Sequence, residues 1–266
     1  MPKQLDHIVI LVTDLARASA DYADLGFTVT PGGAHTSGAT HNALVSFADG
    51  TYFELIAFTD LAKAPSHRWG ARIAQGEGII DFALLSENLT AEPVVTQPGV
   101  LPTHGPVEMG RLRPDGQQID WRIISLSATQ SALPFVIEDV TPRPLRVPDG
   151  AAMHHRLPVT RVAGLTVVVK DLAAATTAYL ALLGQQGEGT RAEIAGAGAG
   201  YRFRVGEQWL ALAEPADEAG PLGQYLAKRG EGPYEVALGG SDAVPPGSGE
   251  LLPLTSTHGA RIRVTQ

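Results

Sequence analysis

The sequence predicts an α+β chain built from four βαβββ-type modules that are grouped in two halves. The 30 Gly and 19 Pro residues among 266 make the chain rich in turns, which is typical of many short strands. The order of strand, helix and three strands at the N-terminus recurs later in the chain. The segment TDLARASADYADLG is echoed by KDLAAATTAYLALLG, so that Asp14 and Tyr22 stand 157 residues before Asp171 and Tyr179. Similarity at a long, constant offset indicates repeated structural units.

The first module supplies the pattern for the others. Residues 5–12 form a β-branched, apolar run that predicts a strand, and Asp14 is a typical helix N-cap. Apolar residues at helical spacing follow, and Gly26 ends the helix. A short strand, a loop over residues 31–42 and two strands joined by the Asp49-Gly50 turn complete the unit.

The other modules are recognised from the same signals. A weaker echo of the cap, SENLTA, places Asn88 in the position of Asp14, and a late hairpin glycine recurs in every unit. The Pro-rich stretch 141–160 has no periodicity and indicates a linker. We therefore predict a domain over residues 1–140 that carries the site and a degenerate second pair of modules over 161–266. The predicted modules span residues 1–58, 77–139, 161–214 and 232–266, with a helix over residues 61–75 between the first two.

Composition excludes several classes of function. The net charge of −8 disfavours nucleic acids and anionic membranes as partners, because both require a positive field. The absence of cysteine removes disulfides, thiolate zinc sites and Cys nucleophiles. No apolar run approaches the roughly 20 residues of a membrane helix, and the N-terminus lacks the form of a signal peptide. We expect a cytoplasmic protein, monomeric or homodimeric, whose partner is a small molecule.

The repeat makes two positions comparable between modules: seven residues before the helix cap and four residues after the hairpin glycine. In the first module these are His7 and Glu54. Strand alternation places Glu54 on a face with apolar neighbours, where a carboxylate is costly unless a cation, a metal or hydrogen-bond donors compensate it. Two interpretations stay open, namely a shared metal and a metal-free, hydrogen-bonded His7–Glu54 pair. The same counting selects Asp81 and Asp120 in the second module, Gly164 and Leu210 in the third, and Arg263 in the fourth.

Several of these motifs resemble one known family. LDHIVILVTDL, GGAHTSGATHNALVSF, DGTYFELIAF, RLRPDGQQIDWR and LPFVIED are similar to the glyoxalase-like branch of the vicinal oxygen chelate superfamily. The resemblance covers residues 5–140, and the rest of the chain joins it only through the internal repeat. It implies that paired modules form cupped sheets, so that this chain would have two cupped-sheet halves, the first with a divalent metal in its cup.

The resemblance also implies ligands and chemistry. The metal ligands carried over are His7, Glu54, Asp81 and Asp120. One His with three acids favours Mn²⁺ or Mg²⁺ over Zn²⁺ or Fe²⁺, and Ni²⁺ is a further candidate. The metal would act as a Lewis acid on a small oxygenated metabolite while Glu54 moves a proton, in a lyase, isomerase or dioxygenase reaction. The alternative is a resistance-type protein that binds a small molecule without metal or catalysis.

The remaining polar residues have open roles. His35, near a family His position, is a candidate catalytic group, and His41 is a ligand, a proton carrier or an exposed loop residue. Arg122 shares strand parity with Asp120, and it either grips an anionic substrate or neutralises that acid. The pair His154-His155 is expected in solvent. Because Gly164, Leu210 and Arg263 offer no metal ligand, we expect the C-terminal half to hold no metal and to act structurally. The alternative for this half is a metal-free pocket for an apolar or anionic ligand, with Arg263 as its anchor.

Overall fold

A computed structural model describes residues 4–91, 101, 103–126, 132–184, 189–240 and 245–265 of the chain. Eight strands of the N-terminal half close into a barrel in the order β1-β4-β3-β2-β6-β7-β8-β5. Their mostly apolar, alternating side chains fill both sides of the barrel wall. The strands are β1 (Gln4–Leu11), β2 (Thr30–His35), β3 (Thr40–Ser46), β4 (Tyr52–Phe58), β5 (Gly78–Leu85), β6 (Thr103–Leu112), β7 (Gln118–Leu126) and β8 (Phe135–Asp139).

The C-terminal half forms a second, open sheet of seven strands in the order β10-β11-β12-β9-β13-β15-β14. Four helices accompany the two sheets in the described part of the chain: α1 (Leu15–Asp24), α2 (Arg143–Arg146), α3 (Leu172–Leu183) and α4 (Pro221–Arg229). None of them is long and apolar enough to cross a membrane. The strands are β9 (Arg161–Val168), β10 (Gly189–Arg191), β11 (Ala197–Val205), β12 (Gln208–Pro215), β13 (Gly232–Gly239), β14 (Glu250–Leu251) and β15 (Ile262–Val264).

The internal repeat is confirmed in the backbone. Strand β1 pairs in parallel with β4, and β9 pairs in parallel with β12. The carboxylate of Asp14 accepts hydrogen bonds from two amides at the start of α1, and that of Asp171 accepts one from Ala174 N at 2.9 Å at the start of α3. Each carboxylate satisfies amides that the first helical turn leaves without partners. The α+β class with two sheet halves is therefore as predicted.

Three local predictions were wrong. The supposed loop over residues 31–42 is mostly strand, because β2 and β3 form a hairpin that contains a bulge between Pro31 and Gly33. A Cβ on Gly33 would lie 1.9 Å from the carbonyl oxygen of Leu112, so the glycines here allow backbones to approach closely rather than marking a loop. The predicted helix over 61–75 is two short 3₁₀ segments, Leu61–Ser66 and Gly70–Gln75. The helix of the second module is a three-residue 3₁₀ turn at Leu89–Ala91, and residues 92–100 lie outside the described part.

The two halves share one core through their helices. The hydroxyl of Tyr22, on α1, donates to the carbonyl of Thr257 at 3.1 Å, and that of Tyr179, on α3, donates to the carbonyl of Ala132. Each tyrosine is completely buried, and its hydroxyl forms a hydrogen bond with a residue of the other half. The equivalent tyrosine of each repeat thus joins the two halves, because a buried hydroxyl requires a hydrogen-bond partner.

The segment 141–160 packs against the barrel. Its helix α2 carries Arg143 and Arg146, and both guanidinium groups bind the carboxylate of Asp6 on β1. His155 is half-buried, its Nδ1 accepts a hydrogen bond from the backbone amide of Thr28 at 3.0 Å, and its ring packs edge-on against Phe47. The prediction that the His154-His155 pair lies in solvent is therefore wrong for His155 and holds only for His154.

Stability should fall in acid because of Asp6. Burial acts to raise the pKa of this carboxyl, but Arg146 and Arg143 outweigh it and hold the pKa well below its usual value. The folded chain therefore binds fewer protons than the unfolded chain below about pH 4, so the free energy of unfolding decreases as the pH falls through that range. Urea denaturation between pH 6 and pH 2 measures this slope. An Asp6→Asn variant should lose much of it, and an unchanged slope in that variant would contradict the assignment.

Candidate functional site

A cavity of about 50 Å³ lies inside the N-terminal barrel. Alternate residues of seven strands point into it, and further side chains come from the β2–β3 turn, from α2 and from residues 67–69, which lie between the two 3₁₀ segments. The polar lining side chains are His7, His35, Ser37, Thr40, Asn42, Tyr52, Glu54, His67, Arg68, Arg111 and Arg146. The apolar and aromatic ones are Trp69, Met109, Trp121, Ile123, Phe135 and Ile137.

Among the described residues that line this cavity, Glu54 is the only one with a carboxylate. It is 6% exposed, its Oε1 accepts a hydrogen bond from Asn42 Nδ2 at 2.6 Å, and Nε2 of His7 lies 3.6 Å from Oε2. Nε2 of His35 lies 3.5 Å from Oε1. Burial acts to raise the pKa of Glu54, but His35, His7 and the hydrogen bond from Asn42 outweigh it and lower the pKa below its usual value. The carboxylate is therefore ionised at neutral pH.

The orientation of His7 is set by Asp6, the residue before it. Asp6 Oδ1 lies 2.6 Å from His7 Nδ1, and the ring of Tyr52 stacks on the imidazole at a centroid distance of 4.6 Å. An ionised carboxylate only accepts hydrogen bonds, so Nδ1 carries a proton and donates it to Asp6, and Nε2 is the ring nitrogen that faces Glu54. Asp6 keeps its charge because Arg146 binds it through two nitrogens, at 2.9 and 3.0 Å.

His35 approaches Glu54 from β2. Its Nδ1 lies 2.8 Å from the hydroxyl of Thr40, the first residue of β3. Burial lowers the pKa of His35, against the opposing effect of Glu54, so its imidazole is neutral at pH 7. His41 lies between Thr40 and Asn42, which both line the cavity, so its side chain is on the outer face of the same strand.

The structure corrects the second-module positions. The strand equivalent to β4 is β8, not β7, because β5 pairs in parallel with β8 as β1 does with β4. Phe135 is opposite Ala83 as Tyr52 is opposite His7, so Ala83 is the counterpart of His7. Ile137 follows Phe135 by two residues, as Glu54 follows Tyr52, so Ile137 is the counterpart of Glu54. Neither has a ligand atom, so the second module contributes only apolar contacts at these two positions.

The acids predicted for the second module have other partners. Asp120 alternates with the cavity-lining residue Trp121 along β7, so it points outward, and Gln118 Nε2 donates to it at 2.9 Å. Asp81 accepts from Arg68 at 2.9 Å and from the indole of Trp69 at 2.7 Å. Of the four predicted ligands, the structure therefore brings together only His7 and Glu54.

Arg122 does not reach the cavity either. It shares the outward face of β7 with Asp120, and its guanidinium forms an ion pair with Glu138 at 2.9 Å. Both alternatives left open by the sequence, a substrate grip and neutralisation of Asp120, fail because Glu138 is the partner of Arg122.

The third-module count was off by one residue. Trp209 is opposite Gly164 as Tyr52 is opposite His7, so the counterpart of Glu54 is Ala211 rather than Leu210. A Cβ on Gly164 would lie 2.1 Å from a ring atom of Trp209, so the indole occupies the space that a side chain at 164 would need. Arg263 in turn donates to Glu235 Oε1 at 2.7 Å.

The superfamily metal site does not fit the residues of this chain. Two of its four ligand positions are Ala83 and Ile137, and no three His, Asp or Glu residues in the described ranges are arranged to hold an ion. The two oxygens of Glu54 face different imidazoles, so the carboxylate lies between His7 and His35 rather than beside them around a common point. The chemistry of the site therefore has to be derived from its own side chains.

Four important residues escaped the sequence reasoning. Asn42 orients Glu54, Asp6 orients His7, Arg146 neutralises Asp6, and Arg111 places a guanidinium in the cavity wall. Strand parity could have found Asn42 and Arg111 once β3 and β6 were recognised as barrel strands. No local signal in the sequence links Arg146 to Asp6, because 140 residues separate them.

Comparisons with known proteins agree with this architecture. The sequence model of the glyoxalase-like domain family matches residues 5–183, and the chain belongs to this family. A hypothetical protein from Staphylococcus aureus has the same fold, with a TM-score of 0.72 and 15% identity over 98% of each chain. A substituted 4-hydroxymandelate synthase from Streptomyces coelicolor matches with a TM-score of 0.57 and 15% identity, over 91% of this chain and 72% of its own. No curated protein matches the chain.

Proposed function

We propose that this protein is an enzyme that binds a small oxygenated metabolite in the barrel cavity and transfers a proton through Glu54. The observation that carries the proposal is a buried, ionised carboxylate in the cavity wall with two imidazoles at 3.5 and 3.6 Å. A cavity of about 50 Å³ offers space on the order of four water molecules, which suits a small substrate.

Each residue around Glu54 has a separate role in the proposed proton transfer. Glu54 takes the proton from the substrate, and Asn42 Nδ2 holds the carboxylate in one orientation through its 2.6 Å hydrogen bond. Nε2 of His7 can accept that proton from Glu54 Oε2, and the imidazolium formed would be stabilised by Asp6. The apolar walls exclude water and so strengthen each of these electrostatic interactions.

The glyoxalase-like family and the structural similarity to a 4-hydroxymandelate synthase support enzymatic action on an oxygenated small molecule. The superfamily resemblance implies a lyase, isomerase or dioxygenase reaction. The fold does not select among these reactions. The site's own residues favour proton transfer, because two imidazoles, which can carry protons, lie 3.5 and 3.6 Å from the Glu54 carboxylate.

The test is solvent deuterium exchange at carbon, followed by proton NMR in the presence of a metal chelator. Pyruvate and hydroxyacetone are probes small enough for the cavity, and the wild-type protein should accelerate loss of their C–H signals over buffer. The Glu54→Gln variant keeps the shape of the side chain but has no basic oxygen, so its exchange rate should fall by a factor of about 10²–10⁴.

The matched control is Glu108→Gln, an exposed acid on barrel strand β6, which should exchange at the wild-type rate. A protein that binds the probes but leaves their protons in place would contradict the enzyme and favour the second candidate. That candidate is a non-catalytic binding protein, and the specific observation in its favour is the largely apolar wall formed by Trp121, Phe135 and Ile137.

A further inference from the structure

Arg111 is a buried guanidinium without an acidic partner. It is 3% exposed, its Nη2 donates to the backbone carbonyl of Arg146 at 2.7 Å, and its Nε has no hydrogen-bond partner among the described residues. No ion pair in the described part of the chain includes it. Buried charges are normally paired, because removing an ion from water without compensation costs several kcal/mol.

The other guanidinium groups of the cavity wall are all engaged. Arg146 binds Asp6, Asp139 and the hydroxyl of Tyr52. Arg68 binds Asp81 at 2.9 Å, and its guanidinium lies 4.3 Å from the centre of the Phe135 ring. Arg111 is therefore the cavity guanidinium that forms no ion pair in the described part of the chain, and its buried Nε has no hydrogen-bond partner there.

We propose that Arg111 binds the carboxylate of the ligand, and that the cavity takes small organic monoanions with a short apolar body. The planar guanidinium matches a carboxylate in shape and charge, and a bound anion would supply the directly contacting counter-charge that Arg111 lacks. Trp121 and Ile123, on the strand paired with β6, offer apolar surface to the rest of the molecule. This inference deepens the proposed function and rests on it only for what happens after binding.

The arrangement places one ionised carboxylate and one guanidinium without an ion pair among the described residues in the same cavity, with different roles. Glu54 and Arg111 are close enough that Arg111 contributes to lowering the pKa of Glu54. Arg111 would hold the anionic end of the ligand while Glu54 faces another atom of it. The positive charge that superfamily enzymes obtain from a metal would thus come from a side chain of β6.

The experiment is isothermal titration of the full-length protein with pyruvate and benzoate, and with their neutral amides, pyruvamide and benzamide. Each acid should bind and its amide should not, because the amide has the same shape without the charge. Arg111→Met should weaken binding of the acids by a factor on the order of 10 to 100. Arg111→Lys keeps the charge but loses the planar guanidinium, so its affinity for the acids should lie between those of the wild type and Arg111→Met.

The matched control is Arg122→Met, on the neighbouring strand β7, whose guanidinium faces outward and binds Glu138. It should bind the acids like the wild type, and thermal denaturation of each variant shows whether it is folded. The assignment is overturned if the amides bind as tightly as the acids, if folded Arg111→Met keeps wild-type affinity, or if neither acid binds at about 10 mM.

The Glu54→Gln variant separates this inference from the proposed function. It should still bind the acids, since it keeps Arg111 and loses a repelling charge, but it should not exchange protons. Binding of acids through Arg111 without any exchange by the wild type would overturn the enzyme and leave the anion site standing. If the wild type exchanges the protons of hydroxyacetone but binds acids no better than their amides, the anion site is overturned and the enzyme proposal stands.

Discussion

Replacement of Arg146 by Met is expected to lower the free energy of unfolding by about 3–5 kcal/mol, because it leaves buried carboxylates without their main counter-charge. Arg146 is 2% exposed and binds Asp6 through two nitrogens, together with Asp139. Arg143 would remain within 2.6 Å of Asp6, so part of the compensation survives. Guanidinium chloride denaturation of the variant and the wild type measures the difference.

The control for Arg146 is an ion pair of the same chemistry in solvent. Arg204 binds Glu207 at 3.1 Å, but these side chains are 72% and 81% exposed, so Arg204→Met should cost no more than about 1 kcal/mol. The double variant Asp6→Asn with Arg146→Met should recover part of the loss, since it removes the stranded charge. A loss below 1 kcal/mol for Arg146→Met alone would show that Arg143 suffices and that the network is not cooperative.

Replacement of Gly164 by Ala is expected to destabilise the C-terminal sheet by about 1–3 kcal/mol, through overpacking. A Cβ at this position would lie 2.1 and 2.4 Å from ring atoms of Trp209 and 2.5 Å from its backbone oxygen, all closer than real contacts allow. The indole therefore has to leave its position between the strands, or β9 has to move away from β12. Thermal and urea denaturation of the full-length chain measure the effect.

The matched control for Gly164 is Gly240→Ala, where the added Cβ meets no atom within 4 Å. This variant should unfold like the wild type. Adding Trp209→Ala to Gly164→Ala should cost less than the two single effects combined, because the clash is then gone. If Gly164→Ala is as stable as the wild type, Trp209 does not fill the position that corresponds to His7.

The position of Trp209 also explains the difference between the two halves. In the first module a histidine at position 7 stacks on Tyr52 and faces Glu54. In the third module glycine, Trp209 and Ala211 replace this set, so an aromatic ring takes the space of the polar site. The absence of metal from this half stays a prediction, and metal titration of the full chain with variants of each half would test it.

The sequence alone determined the features that depend on local patterns. The α+β class, the repeat that links Asp14 to Asp171, and the strands that carry His7 and Glu54 all follow from periodicity, caps and turn residues within a few positions of each other. These signals are reliable because the backbone hydrogen bonds and side-chain alternation that they report are themselves local. Counting residues from the hairpin glycine selected side chains outside the site in two cases. At Leu210 the hairpin differs in length from that of the first module, and at Asp120 the count was made on the wrong strand.

Only the tertiary structure decided which polar groups meet. Arg146 binds Asp6 although 140 residues separate them in the sequence, and Arg111 and Glu54 line one cavity from different strands. Asp81 forms an ion pair with Arg68, and Arg122 forms one with Glu138. The physical reason is that a buried charge is costly unless an opposite charge or a hydrogen bond compensates it. Which group provides the compensation depends on barrel closure and strand register rather than on residues nearby in the sequence. A one-residue change of register moves a side chain to the opposite face, so the composition of the cavity is a property of the closed barrel.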